Sequence, residues 1–460
     1  MRGRVGLIGA GAAAALLGPP AVWWAWRDTE DTARTPRPVP TELRNRDPEA
    51  TPAARRVYAL LAGLENRARR GEPSRTVIGQ HVELQNERYN PSYGDYRGAK
   101  QPGYYYKKVH DITGRLPGFV ELDLGPGYGQ PGWAVGTARS YNKAWPACRP
   151  YWGYIEDAVD LAVGVWAGLP RVADGSYRTS GMHRECAAHA DVPLPHNGGR
   201  PAGLVGFSFH QPYPGSPVKG FAQTLHANSP GAKDPGWFGR VVTEGTAEHQ
   251  ALLHDLDFLA DHLGYLAGQG VPVLLRPYHE MNAAPGHGFW WAGQDPSAYR
   301  RLWRLTYDYL VNRRGLHNLL FAWSPNSWDG GYGRSPAKYY PGGDYVDVVG
   351  VDAYSDTPAK PLGEGAWTEI WYRGLEEFDR PRVVAESFHI PLNAAQSRTL
   401  TRTPWVMWTV WGQALTYANV SSPSRKNTPE DVKATYMSSQ VITGTGDKHS
   451  GFDWASLHQA

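Results

Sequence analysis

Val271-Pro272-Val273-Leu274-Leu275-Arg276-Pro277-Tyr278-His279-Glu280 begins as an apolar run and ends in charge, and its reading decides the fold. An apolar stretch of this length, preceded by a long helical pattern, reads as a strand buried on both faces, as parallel strands are. Arg382-Val383-Val384-Ala385-Glu386-Ser387 repeats the arrangement, with β-branched residues followed by a glutamate. Six further runs of this kind lie at Thr76 to Val82, Pro117 to Leu124, Leu204 to His210, Leu319 to Trp323, Val346 to Ala353 and Trp405 to Trp411. Together they make eight, the number that closes a parallel barrel. The stretches between them include helical patterns: Ala247 to Leu266 carries Leu252, Leu253, Leu256, Leu259, Leu263 and Leu266, and Pro296 to Asn312 carries Leu302, Leu305, Tyr309 and Leu310. Strand and helix in alternation force parallel pairing with the helices outside. The expected fold is therefore α/β, a (β/α)8 TIM barrel with long loops after strands two and three. A last helix is expected to start with Thr428 as its N-cap, Pro429 at the first helical position and Glu430 and Asp431 in the first turn.

In such a barrel the active site is built at the C-terminal ends of the strands. The polar and aromatic residues ending these runs are Gln80 and His81, Glu121 and Asp123, His210, His279 and Glu280, Ser324 and Asn326, Asp352 and Tyr354, Glu386, and Trp408 and Trp411. Singly, each reads more readily as a cap on the barrel rim; convergence from separate strands gives the set its functional meaning. Glu280 and Glu386 form the pair that cleavage of a glycosidic bond needs. One carboxyl stays protonated to help the leaving group depart, and one stays ionised to attack the sugar. Burial among Tyr278, Trp290 and Trp291, with the Glu386 charge nearby, is expected to raise the pKa of Glu280. The Tyr354 hydroxyl and Arg276 are the donors expected to keep Glu386 ionised. This chemistry requires no metal or other cofactor.

Lys and Arg total 47 against 44 for Asp and Glu, a net charge of +3 with no long basic block in the main body, so nucleic acid is not an expected partner. The 19 Trp and 26 Tyr stand beside only 11 Phe. Their flat apolar faces with a polar edge suit stacking on sugar rings, while more than half are expected to serve ordinary packing.

Residues 1–27 read as an export segment: Arg2 and Arg4 precede an Ala- and Gly-rich apolar run. No small-x-small cleavage site is visible near its end, where Trp23, Trp24, Trp26 and Arg27 resemble an interfacial belt. A cleaved signal peptide and an uncleaved membrane anchor therefore both fit, and either places the protein outside the cytoplasm. Residues 28–52 read as a solvated linker and residues 53–460 as one catalytic barrel. Cys148 and Cys186 are the only cysteines, and in an exported chain a disulfide between them is expected. His183, Cys186 and His189 are zinc-ligand types, but their spacing matches no standard structural site and a fourth ligand is missing, so no metal is assigned.

The run from Arg276 to Asn282, followed by Gly288-Phe289-Trp290-Trp291, resembles glycoside hydrolase family 26, whose members include β-mannanases. The resemblance extends to Ile78-Gly79-Gln80-His81, Phe207-Ser208-Phe209-His210, Tyr340 to Tyr354 and Val384-Ala385-Glu386-Ser387, and spans roughly Val57 to Met437. It implies a retaining β-glycanase on a (β/α)8 barrel, with Glu280 as acid/base, Glu386 as nucleophile, His279 as the histidine preceding the acid/base and Tyr354 as the nucleophile's hydrogen-bond donor. Retention calls for carboxyl groups about 5 to 5.5 Å apart. His210 and Trp408 resemble a sugar-contacting histidine and an aromatic subsite floor. Arg276, Trp290, Trp291, His81 and Asp123 complete the expected substrate-binding set. One departure stands out: Ala283 to Gly288 replaces a shorter segment that usually brings an aromatic residue just ahead of Phe289, leaving Gly288, which cannot stack on a sugar, beside His287.

The leading expectation is an exported, monomeric endo-acting β-glycanase on β-1,4-mannan, with β-1,3-xylan and mixed-linkage β-glucan as rivals. An anchored hydrolase trimming a polysaccharide made by the same cell is a second reading, and a non-catalytic glycan-binding barrel a third. No Gly-x-Ser-x-Gly elbow or His-Glu-x-x-His motif supports an esterase or protease.

Overall fold

The computed structural model describes residues 38–41, 47–82, 104–125, 133–134, 154–168, 200–328, 333–354, 366–391, 399–416, 427–444 and 452–458. Residues 1–27, Cys148 and Cys186 lie outside these, as does most of the connection after the second strand. Eight strands form the barrel: β1 Thr76–His81, β2 Phe119–Asp123, β3 Leu204–Phe209, β4 Val273–Pro277, β5 Leu319–Trp323, β6 Val348–Ala353, β7 Arg382–Ser387 and β8 Met407–Val410. Each pairs in parallel with the next, and β8 returns to β1 through the registers Val77 with Met407 and Gln80 with Val410, so the sheet closes. Closure leaves no open edge. All eight expected strands are present; β1, β2, β3 and β8 each end one residue short of the sequence run, and β4 stops at Pro277, three residues before Glu280.

Among the described residues the helices include α1 Pro52–Arg69, α2 Tyr104–Thr113, α3 Tyr154–Ala167, α4 Ala247–Gly268, α5 Pro296–Tyr307, α6 Ala366–Gly374, α7 Thr399–Arg402 and α8 Pro429–Met437, with a five-residue helix, Trp237–Val241, just before α4. Helix α5 starts where Asp295 caps Ser297 and Ala298 and Pro296 fits the first turn; it continues as a π-helical segment, Asp308–Arg313. Helix α8 carries a full capping box between Thr428 and Asp431.

Inside the barrel, the Phe119 ring fills space that two glycines leave open. A Cβ on Gly79 or Gly206 would lie 2.9 Å from its Cδ1 or 2.5 Å from its Cζ. Beyond α8, Val441–Ile442 adds a short parallel strand against the N-terminal half of β1, registering Thr76 with Val441, while β2 pairs only from Gly79 onward. No periodicity in so short a segment announces this. The expected linker also needs correction over its described part: Val39 is buried and exchanges two hydrogen bonds with Asn66 of α1, while Asp47 holds His317 Nδ1 at 3.0 Å. A stretch with little apolar periodicity thus docks through single buried residues.

Candidate active site

Strand β4 ends at Pro277, and the next turn is strained: Tyr278 and Glu280 hold φ of 50° and 56°, on either side of His279. A left-handed non-glycine residue costs on the order of 1–3 kcal/mol and persists only where surroundings over-determine it. Here they do. Glu280 N donates to Ser324 O at 2.9 Å, Trp291 Nε1 to His279 O at 2.7 Å and Tyr299 Oη to Tyr278 O at 3.0 Å. Asn282 then ties this loop to the one after β5 through Asn326 and Arg334. The turn presents Glu280 half-buried at the mouth. Burial, then the negative Glu386, push its carboxyl up to about 7, opposed by Arg276 and His210.

Across the mouth, Glu386 sits buried near the end of β7. Tyr354 Oη donates to its Oε2 at 2.5 Å and Arg276 Nη2 donates to its Oε1. Arg276 is the hub: its Nε reaches Glu121 Oε1 at 2.6 Å and its Nη1 reaches Asp352 Oδ2 at 3.2 Å, so one guanidinium is divided among carboxylates from β2, β6 and β7. Burial opposes its charge, but these carboxylates outweigh that and hold its pKa well above the ordinary value. The negative charges exceed the one cation, and the carboxyls respond. Burial, with Glu386 and Glu280 adding, drives Asp352 well above its usual range against Arg276 and the Ser324 hydroxyl, while burial lifts Glu121 to about 7. A bulge between Val351 and Asp352 shifts the β6–β7 register and brings Asp352 opposite Glu386. Tyr354 keeps its proton, since burial and then Glu386 push its pKa well up.

Asp123 and His210 form a second unit. Burial of Asp123 is outweighed by His210, whose Nδ1 it binds, by the Ser208 hydroxyl at 2.7 Å and by Gly125 N, so its carboxyl falls to about 2. Burial opposes a charge on His210, and Asp123 overcomes it and raises the pKa. Asp123 therefore stands behind His210. The His210 ring lies edge-on to His279 at 4.8 Å and to Phe289 at 5.2 Å. His279 is pushed well below the usual range by burial, with Arg276, His210 and His81 adding, and its Nδ1 has no hydrogen-bond partner.

Several expected substrate contacts lie elsewhere. Trp290, Trp291 and Trp408 are 0% exposed. Trp290 Nε1 donates to Gln211 O at 2.8 Å, binding its loop to the wall after β3, and Trp291 stacks on Phe289 at 4.6 Å. Trp408 Nε1 donates to His389 O at 2.8 Å and bonds Ser387 Oγ at 3.2 Å, bracing the residues beyond Glu386. These rings are supports, because each indole N–H is aimed at backbone of a neighbouring loop. Arg276, also named for substrate, is buried and occupied by the carboxylates. His81 stacks on Trp411 at 4.1 Å, buried, with neither ring nitrogen partnered; burial drives its pKa well down. Sequence reasoning named Glu121 and Asp352 as rim residues without a role; their convergence on Arg276 was the missing fact. His279, Asp352 and Glu386 bring ligand-type atoms within 4.8 Å, but the Arg276 guanidinium already sits against both carboxylates, so the cluster fits an internal cation better than a metal.

Several known proteins are similar to this chain. Mannan endo-1,4-beta-mannosidase of Thermothelomyces thermophilus is 32% identical over 200 residues, 43% of this chain and 36% of that protein. The mannan endo-1,4-beta-mannosidase A and B of Caldalkalibacillus mannanilyticus is 35% identical over 192 residues, 40% of this chain and 33% of that protein. The matches thus span about a third of these relatives' lengths. Among solved structures, a ruminal GH26 endo-beta-1,4-mannanase superposes with a TM-score of 0.59 at 19% identity, covering 88% of this chain and 70% of that one. GH26A from a Muricauda species gives 0.56 at 22% identity, covering 87% and 99%. Both support the barrel fold. Residues 171–442, more than half of the chain, match the model of glycosyl hydrolase family 26, and the chain belongs to that family.

Proposed function

We propose that this protein is a retaining endo-β-glycanase whose first candidate substrate is β-1,4-mannan. One observation carries the reading: two glutamates at the barrel mouth have opposite surroundings. Glu280 is half-buried, with its carboxyl lifted to about 7, so it holds a proton in mildly acidic water. Glu386 takes a hydrogen bond from Tyr354 and one from Arg276, both of which favour its carboxylate. Glu386 attacks the anomeric carbon while the glycosidic bond breaks and the Glu280 proton passes to the departing oxygen. Loss of the Glu386 charge on forming the glycosyl ester then lowers the Glu280 pKa. Glu280 next takes a proton from water, whose oxygen attacks the same carbon and frees Glu386. His210 is backed by Asp123 and packs edge-on to Phe289. The curated relatives named above are mannan endo-1,4-beta-mannosidases, which makes mannan the first polymer to try.

A second substrate reading, β-1,3-xylan or mixed-linkage β-glucan, draws on Gly288. Its φ is 75°, and a Cβ there would lie 3.3 Å from Ala292 Cβ, so the backbone leaves no place for an aromatic platform. We also propose that the protein acts outside the cytoplasm, on the strength of residues 1–27, with residues 53–460 as the catalytic unit. Among the described residues no helix is long and apolar enough to cross a membrane.

The test is reducing-end release from mannan, glucomannan, lichenan, β-1,3-xylan and cellulose, with Glu280→Ala and Glu386→Ala as controls. Cleavage of one polymer, reduced at least about a hundredfold in both variants, is the expected outcome. A folded protein that binds a polymer without cutting any would overturn the enzyme reading in favour of a glycan-binding barrel.

A further inference from the structure

The reaction above leaves Glu121 unused, although it is a buried carboxyl at the centre of the barrel mouth. Its Oε1 accepts from Arg276 Nε at 2.6 Å, while the two terminal nitrogens of the same guanidinium go to Asp352 and Glu386. A guanidinium is planar, so gripping Nε fixes the plane and thereby the direction in which the other two nitrogens point. Strand pairing makes the grip rigid: Glu121 is in register with His81 of β1 and Gly206 of β3, so its backbone is held on both sides. We propose that Glu121 is a positioning residue for Glu386: it locks Arg276 from the β2 side so that Nη2 meets the carboxylate that attacks the sugar. The inference rests on the reading of Glu386 as the nucleophile.

The groups that bear on Glu121 electrostatically are Arg276 from β4, Glu386 from β7 and Asp123 from its own strand; burial and the two acids lift its carboxyl to about 7 against Arg276. This gives the test its discriminating sign. Below about pH 6 Glu121 is mostly protonated, so replacing it removes no charge there. What it removes is the hold on Arg276. A less well aligned guanidinium stabilises the attacking carboxylate less, and the acid limb of the kcat/KM profile, which reports ionisation of the nucleophile, moves to higher pH.

The experiment compares the full chain with Glu121→Gln and Glu121→Ala, using whichever polymer the wild type cleaves, with kcat/KM followed from pH 3.5 to 8 and melting temperature recorded for each. Glu121→Ala is expected to lose on the order of tenfold or more in kcat/KM and to shift the acid limb upward. Glu121→Gln, which still offers an oxygen to Nε, should recover much of the rate and an acid limb near the wild type's. An active wild type whose two variants keep the wild-type acid limb, whatever their melting temperatures, overturns the inference. A wild type that cleaves nothing overturns the functional reading on which it rests. Should Glu121→Ala fail to fold, Glu121→Gln and Glu121→Asp decide, since the shorter Asp must draw the guanidinium away and move the limb where Gln does not.

Discussion

The two ends of the barrel each bury arginine among carboxylates, and they balance charge differently. At the N-terminal end, Arg382 at the start of β7 binds Glu65 of α1 through Nε at 2.9 Å and Nη2 at 2.7 Å, and Arg69 binds Glu65 at 2.9 Å and Asp379 at 3.0 Å. Two cations meet two anions, and the Arg382 guanidinium also lies 3.7 Å over the Tyr372 ring. At the C-terminal end one cation, Arg276, meets Glu121, Asp352 and Glu386, with Glu280 close enough to feel both Glu386 and Arg276. Balance suits a network that only has to hold α1 onto the barrel. Excess negative charge suits a site that must keep one carboxyl protonated beside an ionised one, because unneutralised neighbours raise carboxyl pKa values. A buried ion network therefore reads as structural or catalytic by its charge count, while its geometry alone does not distinguish the two.

Removing a central group from each end separates the two roles. Arg276→Met leaves three buried carboxyls without a cation and should cost about 3 to 5 kcal/mol of stability, along with nearly all activity. Glu65→Gln should cost about 3 kcal/mol as well, yet leave both limbs of the kcat/KM profile where they were. Urea denaturation and pH-rate profiles on the two proteins check this; a shifted profile in Glu65→Gln would erase the distinction. Next in size is Tyr354→Phe. It deletes the 2.5 Å bond to Glu386, and since hydrogen bonds to charged groups contribute about 1.5 to 3 kcal/mol, kcat should fall roughly ten- to a hundredfold and the melting temperature should drop as well. The smallest effect is on pH dependence. Glu280 and Glu121 stand at about 7 in the folded chain, above their unfolded values. The folded state thus retains protons that the unfolded chain gives up; this stabilisation is complete below about pH 4.3 and is lost as pH rises through about 7. Melting temperature should decline across that window, and less so in Glu121→Gln. Activity should fall along an alkaline limb near 7 as Glu280 loses its proton; a limb set well above that value would take the acid role from Glu280.

Much of the barrel was legible because burial leaves a simple mark on sequence. Runs such as Leu319 to Trp323 and Arg382 to Ser387 are buried at every position, so they read as strands without help from their partners. Thr428 and Asp431 announce a helix start by local hydrogen bonding alone, and the capping box is there. The rim list likewise contained the glutamates, Tyr354, His210 and Arg276's carboxylates, because a residue's place at the end of a strand follows from the strand.

What the amino-acid sequence determined by itself was therefore everything that depends on neighbours along the chain: strands, caps, and which acids reach the mouth. Only the tertiary structure decided what those residues face. Trp290, Trp291 and Trp408 have the composition of sugar platforms and are buried braces, since an indole's environment is supplied by loops far away in sequence. The meeting of Glu121, Asp352 and Glu386 on Arg276 joins residues 76 to 155 positions apart. Electrostatic coupling acts through space at a few ångströms, and closure of the barrel is what brings those charges within range.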